Sequence, residues 1–216
     1  KEKKMAIKFG NIEGKAKKSS VEAYAYKDGD NKIRMVGDVL PRYVYWLTTA
    51  DGKRVPMECL GFDRDKEQFT NIEKDWIRHY FPDLKCSWAY AVQCIDSDGK
   101  VKILNLKKKL FESVMVAAED LGDPTDIETG WPLCFKKQKT GPLPFNVEYT
   151  LQVLKCKPEA LTAAQKEAIK DLPSIDDVIS RPTTDLQKDF IESRVLENAG
   201  GNSVPDEVAD EVKELL

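Results

Sequence analysis

Trp88-Ala89-Tyr90-Ala91-Val92-Gln93-Cys94-Ile95-Asp96-Ser97-Asp98-Gly99-Lys100-Val101-Lys102-Ile103-Leu104-Asn105-Leu106 is the stretch that decides the fold class. Two apolar runs flank Asp98-Gly99, a dipeptide that supplies the positive φ of a tight turn, so the segment predicts an antiparallel hairpin of strands 88–95 and 100–106. Asp51-Gly52 repeats the signal between runs 42–48 and 53–60. Further strand-like runs occupy 32–36, 133–139 and 145–156. In the last of these, Phe145, Val147, Tyr149, Leu151 and Val153 alternate with Asn146, Glu148, Thr150 and Gln152, giving one core face and one wet face.

Two helices are expected among the strands. Thr70-Asn71-Ile72-Glu73 has the form of a capping box opening a helix through about residue 79. Residues 107–120 carry Leu110, Val114 and Ala117, with Phe111, Met115 and Ala118, at helical spacing. Beyond Pro158, Thr162-Ala163-Ala164-Gln165 and Thr184-Asp185-Leu186-Gln187 are further helix starts, and Gly200-Gly201-Asn202-Ser203 is a flexible joint before a short acidic helix from Pro205. The expected organisation is a basic N-terminal arm over 1–30, a β-rich core over 31–157 and an acidic helical segment over 158–216. A mainly β chain with appended helices (α+β), built on an OB-type Greek-key barrel with an inserted helix, fits this pattern; a twisted sandwich is the alternative.

The 216 residues are 41% apolar and 33% charged. No apolar run approaches the roughly 20 residues of a membrane span. No secretory signal pattern is visible, and because the chain opens on Lys1 a start upstream is expected. The net charge of −3 conceals a division after Lys157: residues 1–157 hold 28 basic and 23 acidic side chains, residues 158–216 hold 6 and 14. A basic body with an acidic end suggests a polyanion-binding surface and a self-shielding or interaction segment. Five cysteines without a CxxC pair point to a reducing, cytosolic compartment.

His79 is the only histidine, which weakens every catalytic triad or dyad. With Cys86 and Cys94 it matches no zinc-ligand spacing. Asp63/Asp65 and Asp96/Asp98 sit in turn contexts and are better explained by turn chemistry than by a nuclease metal site. Gly29, Gly37, Gly52 and Gly61 form no phosphate-cradling motif. The strands instead interleave rings with cations. Arg42-Tyr43-Val44-Tyr45-Trp46 and Trp88-Ala89-Tyr90 carry the rings, while Arg34, Lys53, Arg54, Lys85, Lys100, Lys102, Lys107, Lys108, Lys109, Lys136, Lys137 and Lys139 supply charge around them. Single-stranded nucleic acid is bound by this combination, since cations follow phosphates and flat rings stack under unpaired bases. Alternation allows only one face of each strand to meet the ligand, and Tyr43 and Tyr45 are assigned outward with Trp46 in the core. Lysines 107–109 open a helix against its dipole, which a bound polyanion would favour.

Asn31-Lys32-Ile33-Arg34-Met35-Val36, Leu84-Lys85-Cys86-Ser87-Trp88-Ala89-Tyr90 and Gly99-Lys100-Val101-Lys102-Ile103-Leu104-Asn105-Leu106-Lys107-Lys108-Lys109-Leu110-Phe111, in that order, resemble the single-stranded DNA-binding, helix-destabilising proteins of tailed phages of the T-even type. Asp123-Pro124-Thr125-Asp126 and the amphipathic strand ending at Lys155 are similar as well, so the resemblance covers roughly 31–157. It implies an OB-fold that binds single-stranded DNA without sequence preference, in replication, recombination and repair, in the cytoplasm of an infected bacterium. It further implies a basic arm for cooperative self-association on DNA, for which Lys15, Lys17, Lys18, Ser19 and Ser20 are the similar residues, though further from the start than in that family. An acidic tail recruiting replication and recombination proteins would be Asp206, Glu207, Asp210, Glu211 and Glu214. T-even members hold zinc with a His and Cys residues; this chain lacks that cluster between Cys59 and Cys86, so no zinc, no other cofactor and no enzymatic activity are expected. The rival readings are a replication or recombination scaffold and a metal-dependent nuclease.

A negatively charged tail tethered to a basic groove competes with DNA at an effective concentration on the order of mM. Deleting residues 200–216 is therefore expected to tighten oligo-dT binding at low salt, with the gain shrinking as salt shortens the Debye length to about 8 Å. Titrations of both chains at two salt concentrations check this, and equal low-salt affinities would refute it.

Overall fold

Proline lacks the amide hydrogen that a strand interior needs, and Pro41 is where the longest extended segment of the chain bends. The computed structural model describes residues 21–143 and 146–196. Strands β1 (Gly29–Leu40) and β2 (Tyr43–Thr48) lie on either side of Pro41. Antiparallel to them run β6 (Ser87–Trp88) and β7 (Ala91–Ile95). Pairing resumes across the bend without a shift: Leu40 faces Ala91 before it, Tyr43 faces Trp88 after it, and Ala89 N–H donates to Arg42 O at 3.0 Å between them. A bulge adds curvature where pairing steps from Val36–Gln93 to Val39–Val92. There Gly37 holds φ at 72°. In that left-handed conformation a Cβ would be strained.

The bend divides one ladder between two open sheets. The larger has the order β10-β9-β1-β7-β8, with β8 (Val101–Asn105), β9 (Leu133–Lys139) and β10 (Val147–Leu151), every neighbour antiparallel. The smaller has β3 (Arg54–Glu58), β2 and β6, and a two-stranded ribbon pairs β4 (Phe62–Asp63) with β5 (Gln68–Phe69). Both Asp-Gly hairpins form as expected, with φ of 78° at Gly52 and 77° at Gly99. The run 88–95 is divided by the bend, and the run 145–156 yields only β10 and a 3-10 turn at Val153–Lys155. The mainly β, α+β class therefore stands, while the closed barrel does not: β2 leaves with its partners at Pro41, and among the described residues the edges β8 and β10 are not paired with each other.

Helix α1 (Trp76–Tyr80) begins later than the Thr70 pattern predicts. Asn71 is left-handed at φ 51°. The cap is instead Asp75, whose Oδ1 accepts the Ile77 and Arg78 amides. Helix α2 (Lys108–Leu121) sets Leu110, Val114 and Ala117 against Ile33, Met35, Val92, Leu104, Trp131 and Phe135, forming the main core on one face of the large sheet. The opposite face is covered by the segment after Pro158. Leu161, ahead of α3 (Ala163–Ile169), packs with Val36 and Ile95, and Ile175 of α4 (Ile175–Val178) packs with Leu40 and Ile103. The Thr162 capping box forms as expected, whereas the cap of α5 (Thr184–Phe190) is Thr183, one residue earlier than Thr184.

Residues 21–26 pair with the folded body: Tyr24 N–H donates to Ile103 O, Ile103 N–H to Glu22 O, and the Tyr24 hydroxyl to Asn31 Oδ1. Likewise residues 158–196 are part of the body, because Ile191, in the π-helical turn Ile191–Leu196 after α5, completes a second core with Tyr45, Leu47, Phe62 and Ile77. Arg181 locks this segment down by donating to the Leu60 and Phe62 carbonyls. Phe145 and residues 15–20 and 200–216, with the arm and tail assignments, lie outside the described residues.

Gln187 is fully buried, its Oε1 accepting Trp76 N–H at 2.7 Å and its Nε2 donating to Glu58 O at 3.0 Å. Gln187→Leu keeps the volume but orphans two buried backbone groups at about 1–3 kcal/mol each. A denaturant titration is expected to show a midpoint lowered accordingly; an unchanged midpoint would mean that the C-terminal segment does not stabilise the body.

Candidate nucleic-acid interface

Residues directly opposite each other in an antiparallel ladder point to the same side, so Tyr43 and Trp88 share a face. Tyr43 meets Phe62 and Phe69 at 4.9 Å between ring centroids. Trp88 stacks on Tyr90 at 4.4 Å and 12°, and Phe111 from α2 closes on both at 5.7 and 5.8 Å. Rings therefore follow one another from the β4–β5 ribbon to the first turns of α2. Phe69 is 49% exposed and Tyr43, Trp88 and Phe111 are half-buried. Beside Phe69 opens a groove of about 530 Å³ whose walls include Arg78, Leu84, Lys85 and Cys86. At the other end of the row Lys108, three residues before Phe111 on α2, is exposed, while Lys109 is exposed along the groove between α2 and β10. Faces of rings flanked by cations at both ends suit unpaired bases and their phosphates.

Several sequence-assigned residues are placed elsewhere. Tyr45 points the opposite way from its assignment: it is 2% exposed in the second core, where its hydroxyl lies 3.4 Å from the Cys59 sulfur and burial raises its pKa. Trp46, assigned to the core, is half-exposed, with the Arg54 guanidinium 5.8 Å from its ring. It lines a small pocket with Arg42, which donates to the Ala89 carbonyl at 2.9 Å and whose pKa burial lowers. Arg34 is 5% exposed and not a surface cation; it donates to the Pro124 and Asp126 carbonyls and pins the loop before Trp131. Tyr90 is 8% exposed, covered by Trp88 on one side, with its hydroxyl donated to Glu67.

The lysines divide as well. Lys107 is buried and lies over Tyr26 at 5.5 Å and Tyr149 at 5.9 Å. Cation–π attraction holds it at the unfavourable helix start. Lys102 is paired with Asp96 at 3.3 Å, Lys137 with Asp28 at 3.0 Å and Lys53 with Asp51 at 2.7 Å. Lys136 is half-exposed and Lys139 exposed on β9, away from the Phe69 groove. Phe69, Arg78 and Phe111 were not singled out by the sequence as binding residues. The available signal was the pair Phe62 and Phe69 bracketing a polar turn, the pattern of a short ribbon.

Asp63 and Asp96 do turn work: each Oδ1 accepts two amides, from Asp65 and Lys66 and from Asp98 and Lys100. His79 packs against Trp76 and Tyr80, while Cys86 lines the groove and Cys94 lies in the large-sheet core, so the three do not converge. Among the described residues no group of three or more His, Cys, Asp or Glu is arranged to hold a metal ion, and no helix is long and apolar enough to cross a membrane.

The chain is 31% identical over 163 residues to a protein of Escherichia phage T5 named "Probable ssDNA-binding protein", the match covering 68% of this chain. The chain has a phage relative. It spans 60% of that relative's length, and the resemblance to phage single-stranded DNA-binding proteins stands on this match. No protein-family model and no solved structure matches.

Burial separates core rings from surface rings. Tyr45→Ala is expected to lose about 3–5 kcal/mol of stability, as large-to-small core changes do, whereas Phe69→Ala stays within about 1 kcal/mol. Thermal or denaturant unfolding of the two variants checks the ranking, and equal losses would overturn the burial assignment.

Proposed function

We propose that this chain binds single-stranded DNA without sequence preference and serves phage DNA replication, recombination and repair as a non-enzymatic, helix-destabilising protein. The observation that carries this reading is the ring row from Phe69 through Tyr43 and Trp88 to Phe111, with Arg78 and Lys85 at one end and Lys108 at the other. The name of the phage T5 relative supports it independently. Stacking needs bases whose faces are free, so single strands are preferred over duplex and a melting duplex is pulled open by mass action.

The finer features belong to the same proposal. The long bent strand β1, paired with β9 in its first half and β7 in its second, supports an opened relative of the OB architecture. Lys15, Lys17, Lys18, Ser19 and Ser20 are assigned to cooperative self-association. Since residues 158–196 are used in packing, recruitment of partner proteins and self-shielding fall to Asp206, Glu207, Asp210, Glu211 and Glu214. The site of action is the cytoplasm of the infected bacterium.

Oligo-dT and duplex titrations test the proposal. Phe69→Ala and Phe111→Ala are each expected to weaken oligo-dT binding by about 1–3 kcal/mol while the proteins stay folded. The Lys108→Ala, Lys109→Ala double variant should lose affinity for all sequences alike and flatten the slope of log K against log salt by roughly 0.7 per lost phosphate contact. Equal affinity for single and double strands, or variants that bind like the parent, would refute the assignment.

A further inference from the structure

The protein has two neighbouring pairs of thiols, and they differ in access. Cys134 and Cys156 are both buried, at 6% and 1% exposure, and burial raises the pKa of each. Cys59 and Cys86 are arranged differently. Glu58 and Ser87 both pair with Val44, from opposite sides of β2, and the two cysteines are their chain neighbours. Both side chains reach the groove beside Phe69, Cys59 from its buried floor and Cys86 from its half-exposed wall, within hydrogen-bonding reach of each other. Arg78 and Lys85 line the same groove.

We propose that Cys59 and Cys86 form an oxidisable dithiol site, which a hydroperoxide closes to an intrachain disulfide across the groove. The inference that closure regulates DNA binding rests on the function proposed above; the chemistry of the site does not.

Cys86 is the attacking sulfur. A hydrogen bond from the Cys59 thiol stabilises its thiolate, with Arg78 adding attraction, and its pKa falls to about 7. Reactive cysteines are electropositive, part-exposed and depressed in pKa, while buried structural ones are inert. Cys86 is of the first kind, and Cys94, pushed up to about 12 by burial, is of the second. The Cys86 thiolate attacks one peroxide oxygen; an S–O bond forms, the O–O bond breaks, and the departing oxide leaves as water or alcohol after taking a proton. The Cys59 sulfur then attacks the sulfenic sulfur. An S–S bond forms, the S–O bond breaks, and hydroxide departs as water with the Cys59 proton. The two sulfurs lose two electrons in total and the peroxide gains them.

Disulfide geometry requires Cα atoms within about 7 Å, so closure draws the groove wall at Lys85-Cys86 toward the end of β3. A narrowed groove takes up a strand less readily. By linkage, a strand bound in the groove shifts the dithiol–disulfide equilibrium toward the reduced form by the same factor.

The test uses the full chain with hydrogen peroxide. Intact mass is expected to fall by two hydrogens, and proteolysis without reductant to yield a 59–86 linked peptide. Cys86 should react with a maleimide at least about tenfold faster than Cys94. Cys59→Ser, which keeps a donor beside Cys86, is expected to leave Cys86 reactive yet unable to form the crosslink, whereas Cys86→Ser should abolish both. Oxidised protein should bind oligo-dT more weakly on the order of tenfold, with recovery after dithiothreitol. Absence of the crosslink, or a crosslink between Cys134 and Cys156 in its place, overturns the proposal whether or not the reduced protein binds DNA. A crosslink in a protein whose reduced form never binds oligo-dT leaves the dithiol site standing and refutes the proposed function instead. A crosslink with unchanged DNA affinity overturns the regulatory coupling.

Discussion

The antiparallel pairing of residues 29–48 with residues 87–95, bent but unbroken in register at Pro41, is the constraint on which the molecule depends. Backbone groups in a sheet must find partners, and a proline at the bend removes one donor without shifting the ladder. The left-handed glycine at 37 absorbs the extra residues of the bulge and lets the ladder curve a second time. One side of the bent ladder then carries Tyr43 beside Trp88, with Tyr90 buried beneath Trp88 and Phe111 of α2 at the border.

The second feature is the use made of the C-terminal third. An acidic, polar segment has few apolar side chains to bury, and here Leu161, Ile175 and Ile191 are supplemented by buried hydrogen bonds. Gln187 satisfies a helix amide and a strand carbonyl, and Arg181 satisfies the carbonyls of Leu60, in the turn before the β4–β5 ribbon, and of Phe62, at the start of β4. Arg64 completes the arrangement, with its Nε 2.7 Å from Glu58 Oε1 and its Nη1 2.9 Å from Asp176 Oδ1. Removing one partner of the buried Arg64–Glu58 pair would leave the other charge uncompensated, which is strongly destabilising. The ribbon bearing Phe69 is thereby tied on one side to the body and left open on the other. A short two-stranded element, marginal by itself, becomes a firm wall of the groove in this way.

Charge is distributed with the same economy. Lysines beside carboxylates, such as Lys102 at Asp96 and Lys137 at Asp28, have part of their field cancelled where they stand. Lys107 is held over two tyrosine rings. Lys85 and Lys108 are exposed, Lys85 on the wall of the groove beside Phe69 and Lys108 on α2 three residues before Phe111. A count of basic residues in the sequence cannot make that distinction, because pairing depends on distances across strands far apart in the chain.

The local features were legible from the sequence itself. Both Asp-Gly hairpins, the alternation of β10, helix α2 with its Leu110, Val114 and Ala117 stripe and the Thr162 capping box arise from interactions within a few residues, which propensity and periodicity record. The pairing of rings with cations that pointed to unpaired nucleic acid was visible for the same reason. Side and depth were decided only by tertiary structure. Alternation shows that Tyr45 and Trp46 face opposite ways but not which way is inward; that was settled by Ile77 and Ile191, which close over Tyr45 from far along the chain. Arg34 is drawn inward by carbonyls 90 and 92 residues away, and Phe69 and Arg78 become neighbours only because the ribbon and α1 fold onto the bent ladder. Contacts of that range leave no periodic mark in the sequence, since each depends on where a distant element packs and not on the order of the residues beside it.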